Sequence, residues 1–249
     1  MGLSALILIP IAAWKAGDEL RDLSVRDIKL ALLSGFFLAL HFASWISSLD
    51  YTAISNSVVL VNTIPLWVGL FTPLISKDRL SRATITSIIV SVIGAAIIGF
   101  GDFAMGGKAL WGDLLAVMGA VCAAVYLLFG RKLRRKLSLL SYVAICYGSA
   151  AVILWLVVLF LNLPITGYSI QTVTAFWAMA LISQIIGHSS YNWSLKWFST
   201  SLVAVALLGE PIGSTLLAYI IFDERLTWMK FIGGLFILSA IYMAASREK

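Results

Sequence analysis

Eight runs of 18 to 25 largely apolar residues, each long enough to cross a lipid bilayer, fill most of this 249-residue chain. They extend approximately over residues 28–49, 54–76, 84–101, 110–129, 139–161, 174–195, 201–222 and 228–245. About 20 residues rising ~1.5 Å each cover a hydrocarbon core of roughly 30 Å. Every backbone N–H and C=O must be paired in that medium, and a helix pairs them within each run. The expected fold is therefore an all-α membrane protein, a polytopic helical bundle with short connecting loops. A ninth apolar piece, "GLSALILIPIAAW" from Gly2 to Trp14, is short for a span. It lacks the basic leader and small-residue cleavage site of a signal peptide.

Composition agrees: 61% of residues are hydrophobic and 12% charged, about half the charged fraction of soluble domains. The net charge of +6 needs no nucleic-acid partner, because basic residues concentrate in cytoplasmic loops of membrane proteins. Placing the C-terminus in the cytoplasm of a cell (inner) membrane puts 15 of the 18 lysines and arginines inside and leaves Lys108, Arg225 and Lys230 outside. The "RKLRRK" cluster from Arg131 to Lys136 then anchors the topology at a leaflet surface, where an anionic-lipid contact is an alternative role. Cys122 and Cys146 sit in apolar runs without metal-ligand spacing, so no disulfide, metal or other cofactor is expected.

Sliding the sequence by 146 residues pairs Ser44 with Ser190, Ser48 with Ser194, Ser55 with Ser201, Pro65 with Pro211, Leu70 with Leu216 and Arg79 with Arg225 without a gap. The "KDRL" turn of the first copy falls inside and the "DERL" turn of the second outside, so the copies are expected to have opposite topology. Inverted repeats are an architecture of secondary transporters.

These residues carry a resemblance to a known family. The stretch "LLGEPIGSTLLAYIIFDERLTWMKFIGGLFILSAIYMA" from Leu207 to Ala244, preceded by "YNWSLKWFSTSLVAV", resembles the C-terminal half of the EamA-like family of the drug/metabolite transporter superfamily. "DYTAISNSVVLVNTIPLWVGLFTPLISKDRL" resembles the matching part of its N-terminal half. The resemblance implies ten transmembrane helices in two inverted five-helix repeats, here residues 1–104 and 105–249. It also implies a substrate cavity and transport, often export, of small organic metabolites. The family's first helix has no counterpart, so about nine helices and about 30 to 45 further N-terminal residues are expected.

Polar residues inside apolar runs supply the candidate site, because an unpaired polar group in hydrocarbon is costly and faces the bundle or a wet cavity. Gln184, His188 and Asn192 recur at i, i+4 and i+8, with Tyr191 beside them, and so share a helical face. They line a cavity, or they make interhelical hydrogen bonds of about 0.6 kcal/mol each. In the first repeat His41, Ser44, Trp45 and Ser48 share a face, and Asn62 and Thr63 precede Pro65. Tyr126, Ser214 and, more weakly, Trp67 join the list of candidate contacts.

Glu210 lies near the middle of its run with no lysine or arginine at comparable depth. A carboxylate there binds a proton or a substrate amino group, or makes one fixed hydrogen bond. Pro65 and Pro211 remove backbone donors and mark candidate hinges. The set lacks a deep cation, which argues against phosphorylated substrates and towards amino acids or related compounds. Partners are then a small-molecule substrate, the lipid bilayer and, as a candidate coupling ion, protons. An embedded hydrolase using His41, His188 and Glu210, or a non-transporting receptor or subunit, are the alternatives; no HExxH or GxSxG pattern supports an enzyme.

Overall fold

The structure, a computed structural model, describes residues 1–52, 54–75, 80–99, 107–222 and 227–246. Residues 77–79 and 223–226, which hold most of the two acidic-Arg-Leu turns, and the last basic residues, Arg247 and Lys249, lie outside that description. Among the described residues there is no strand.

The helices are α1 (Gly2–Lys15), α2 (Gly17–Arg21), α3 (Val25–Ser48), α4 (Ile54–Val61), α5 (Ile64–Ile75), α6 (Arg82–Gly99), α7 (Lys108–Arg134) and α8 (Leu139–Phe160). Then follow α9 (Ile170–Ala178), a π-helix over Met179–His188, α10 (Ser189–Ser194), α11 (Thr200–Leu207), α12 (Gly209–Phe222) and α13 (Trp228–Ala245). Among the described residues five segments are long and apolar enough to cross a membrane: Val25–Ser48, Ser57–Ile75, Lys108–Arg134, Leu139–Phe160 and Ile170–Ser194. Gly2–Lys15, Arg82–Ile97, Thr200–Gly213 and Phe231–Ala245 are shorter apolar helices.

Helix starts follow from local chemistry. Ser24, Ser81, Ser138, Ser169 and Ser199 each accept a hydrogen bond from the backbone N–H three residues on, at 3.0 to 3.2 Å, and so open α3, α6, α8, α9 and α11. Two expected spans are interrupted. The run 54–76 breaks at Asn62–Thr63, just before Pro65, and the run 201–222 breaks at Leu208, just before Pro211. Proline's missing N–H and its clash with the preceding turn explain both.

The spacing of 146 residues reappears in these boundaries. Adding 146 to α4 (54–61) gives α11 (200–207), adding it to α6 (82–99) gives α13 (228–245), and adding it to Asn62 gives Leu208.

The described chain forms two compact units, each drawing on both sequence halves. The first comprises Met1–Leu40 and Phe129–Trp197. In it α1 packs on α8 and on the π-helix, burying Ala5, Leu8 and Ala12. Gly35 lets α3 approach α8 closely, since a Cβ there would overlap the Ser149 hydroxyl and the Cys146 carbonyl. The second unit comprises His41–Leu128 and Phe198–Lys249. There α6 lies along α13, and a Cβ on Gly94 would sit 2.8 Å from the Gly233 carbonyl oxygen. Val205, Leu208, Ile237 and Ala240 are fully or almost fully buried beside that contact.

Candidate functional site

In the first unit a buried polar cluster forms around Tyr147 of α8. A phenol inside an apolar helix needs a partner for its hydroxyl, and α10 provides one: Asn192 Nδ2 donates to Tyr147 Oη at 2.9 Å. Ser189 Oγ lies 3.3 Å from the same oxygen, and Gln184 approaches it from the π-helix. Asn192 and Gln184 are 0% and 4% exposed. Gln184 Nε2 remains without a partner among the described residues. His188 is half-buried, its ring edge-on to Tyr191 with centroids 5.6 Å apart.

The stripe expected on an ordinary helix is thus mounted on a π-helix through His188. Its i→i+5 bonding widens each turn. Gln184 and Asn192 still face inward, whereas Ile186 is exposed.

Tyr147 was not among the expected contacts. Its position within an apolar run, together with the partner a buried phenol demands, is the signal that points to it. A second inward polar contact, between the Ser34 and Tyr142 hydroxyls at 2.7 Å, was likewise unexpected.

At the end of α7 the basic cluster is divided. Lys132, Arg135 and Lys136 are exposed, whereas Arg134 is buried. Arg134 Nε donates to the Asn192 carbonyl at 2.9 Å and Nη1 to the Leu137 carbonyl, while Arg131 Nη1 donates to the Leu195 carbonyl at 2.6 Å. The two guanidiniums satisfy carbonyls left over at the C-terminal end of α10. Nearby, Glu19 accepts from Ser138 N–H at 2.6 Å and Ser141 Oγ at 2.7 Å. Partial burial pushes the Glu19 carboxyl up, but these hydrogen bonds and the Arg134 charge outweigh it and hold the group below its usual value.

In the second unit His41 is 5% exposed and stacks on Trp45, with centroids 5.6 Å apart. Its Nδ1 donates to the Gly119 carbonyl of α7 at 2.9 Å. Trp45 Nε1 is buried without a partner among the described residues. Ser48 donates to the Trp45 carbonyl at 2.6 Å and lies 2.5 Å from Ser57 Oγ, tying α3 to α4.

Asn62 is buried in the first helix break. Beside it, Thr63 donates to the Leu60 carbonyl at 2.6 Å and receives Trp67 Nε1 at 3.2 Å. Tyr126 is buried on α7, and Pro65 and Pro211 are buried next to the breaks. Glu210 lies near the middle of the run 201–222, in the first turn of α12 just after the break at Leu208, with its side chain on the exposed surface of the helices. The dipole of a helix N-terminus favours a carboxylate in that place. The side chain of Ser214 lies outside the described residues. The described contacts bring His41 together with Trp45 and Gln184 together with Asn192; they do not join Asn62 or Glu210 to the His41–Trp45 pair.

Helices built almost wholly of apolar residues, with polar side chains turned inward, define a multi-pass membrane protein. Comparison with known proteins specifies its class. The model of the EamA-like transporter family matches residues 1–100 and 110–246, and the chain belongs to that family. An "Uncharacterized transporter" of Archaeoglobus fulgidus is 23% identical over 251 residues, covering 99% of this chain and 85% of the relative. Another of the same name, from Clostridium kluyveri, is 26% identical over 262 residues, covering 99% and 81%. "Uncharacterized transporter YyaM" of Bacillus subtilis is 24% identical over 253 residues, covering 98% and 81%. One solved crystal structure shares the fold with a TM-score of 0.74 at 19% identity, over 97% of this chain and 86% of that one.

Proposed function

We propose that this protein exports small amphipathic metabolites, amino acids or related compounds, across the cell (inner) membrane by alternating access and without covalent chemistry. In this reading residues 1–104 and 105–249 act as two inverted repeats, the C-terminus is cytoplasmic, and the helices flex at Pro65 and Pro211. The observation that carries it is a surplus of buried donors: Trp45 Nε1 and Gln184 Nε2, inside apolar helices, lack partners among the described residues. Such groups are costly unless a ligand or water meets them. Acceptor groups of a substrate, a carboxylate among them, are of the kind that each of these N–H groups needs. Glu210, exposed in the first turn of α12, supplies an acceptor for an amino group or a proton. His41, Asn62, Tyr126, His188, Tyr191, Asn192 and Ser214 complete the proposed contacts.

A metabolite-export screen of a deletion strain against its parent identifies the substrate, and flux of that compound into proteoliposomes then tests Glu210→Gln. The variant keeps the shape and a hydrogen bond but cannot titrate, so it is expected to fold normally and to lose the pH dependence of transport. A wild-type pH profile would reject the coupling role, and absence of any flux by the wild type would reject the transport reading.

A further inference from the structure

Three cations in the first unit take no part in the proposed substrate path. Arg26 and Lys29 lie one turn apart on α3, and Lys132 near the end of α7 faces the same groove, whose volume is about 480 Å³. All three are exposed. The ion pairs among the described residues are Arg21–Asp18 and Lys136–Asp27, so none of the three is ion-paired with a described residue. The nearest carboxylate in sequence, Asp27, is occupied by Ser24 Oγ at 2.8 Å and Lys136 Nζ at 3.3 Å.

The remaining lining residues are Val25, Leu30 and Leu33. Along α3 the order matters. Leu30 follows Arg26 by four residues, and Leu33 follows Lys29 by four, so each cation stands one turn before an apolar side chain on the same face. Leu33 and Phe36 are 39% and 40% exposed, which continues the apolar stripe away from the charged end. A charged end running into an exposed hydrocarbon stripe has the polarity of a phospholipid. A soluble anion would use only the first part of it.

We infer that the groove formed by Arg26, Lys29 and Lys132 with Leu30 and Leu33 is a binding site for an anionic phospholipid, the phosphodiester held by the three cations and an acyl chain lying along the leucines. Phosphatidylglycerol supplies both parts, whereas phosphatidylcholine carries a positive choline that the cations repel. Juxtamembrane lysines and arginines draw anionic lipid in this way, and the attraction is felt over less than a Debye length.

Native mass spectrometry of the purified full chain in detergent, with phosphatidylglycerol or phosphatidylcholine added, reads the site directly. The wild type is expected to retain phosphatidylglycerol preferentially. Arg26→Gln/Lys29→Gln/Lys132→Gln is expected to lose that preference, at about fivefold in affinity per cation removed. A charge-matched control, Lys15→Gln/Arg21→Gln/Arg135→Gln, which removes three exposed cations outside the groove, is expected to keep it. Lys132→Gln alone gives an intermediate loss and stands in should the triple variant not purify. Equal retention of the two lipids by the wild type, an unchanged triple variant, or an equal loss in the control would each overturn the site. Displacement of the lipid by millimolar inorganic phosphate would overturn it in favour of a soluble anion.

Discussion

Glu19 shows how much one side chain at a membrane surface can fasten. Its two oxygens hold the Ser138 N–H and the Ser141 hydroxyl, so α2 is clamped to the first turn of α8, where Ser138 is also the cap. Because these bonds lower the folded-state pKa, the clamp is fully present above the carboxyl's ordinary value and is lost as pH falls through the lowered one. Acidification from about pH 5 to about pH 3 should therefore reduce the melting temperature of the wild type more than that of Glu19→Gln. Equal slopes in a detergent thermal-shift titration would show that the carboxylate contributes nothing. Single-residue chemistry was only partly legible beforehand. His41 and Trp45 could be paired because they are one turn apart on one helix, where spacing alone places them together. Tyr147 could not be paired with Asn192, since the partners are 45 residues apart and only tertiary packing joins α8 to α10. Arg134 was hidden for a similar reason: inside "RKLRRK" nothing distinguishes the residue whose guanidinium meets carbonyls of another helix.

At the level of elements, the apolar runs located the helices well, because in hydrocarbon the backbone has no cheaper way to pair its polar groups. They could not show that two runs would divide. Only the prolines hinted at it, and a proline within a membrane helix is as compatible with a kink as with a break. Close approach of helices was legible still less, since a glycine in an apolar run looks the same whether it faces lipid or a neighbour. Gly94 faces a neighbour: its missing side chain admits the Gly233 carbonyl, and a methyl in its place would lie 2.9 Å from Ile237 Cγ1 and from Phe236 Cβ. Gly94→Ala should therefore push α6 away from α13 and destabilise the protein by about 1 to 3 kcal/mol. Gly17→Ala, which meets nothing within 4 Å, should leave the melting temperature nearly unchanged. Size-exclusion profiles after a heating series distinguish the two, and an equal response would remove the packing role from Gly94.

For the whole molecule, the recurrence of helix limits 146 residues apart makes Pro65 and Pro211 equivalent positions. If the repeats are inverted and each break bends during transport, straightening one should favour one facing of the carrier and straightening the other the opposite facing. Pro65→Ala and Pro211→Ala should then shift the accessibility of a reporter cysteine at Asn192 to a water-soluble thiol reagent in opposite directions. The double variant should return towards the wild-type value. Shifts of the same sign in both single variants would show that the breaks are not related by the repeat.

The π-helix of Met179–His188 implies a tolerance to changes of length. The helical stretch 170–194 uses 25 residues where its counterpart α3, at 25–48, uses 24. Wide turns absorb surplus residues without altering the phase of the helix on either side. A one-residue deletion inside 179–188 would tighten a wide turn towards an ordinary one and leave Asn192 opposite Tyr147. The same deletion in the middle of α8 would have no slack to draw on and would rotate all that follows by about 100°. Among the described helices, the one carrying Gln184 and Asn192 can gain or lose a residue without scrambling what comes after.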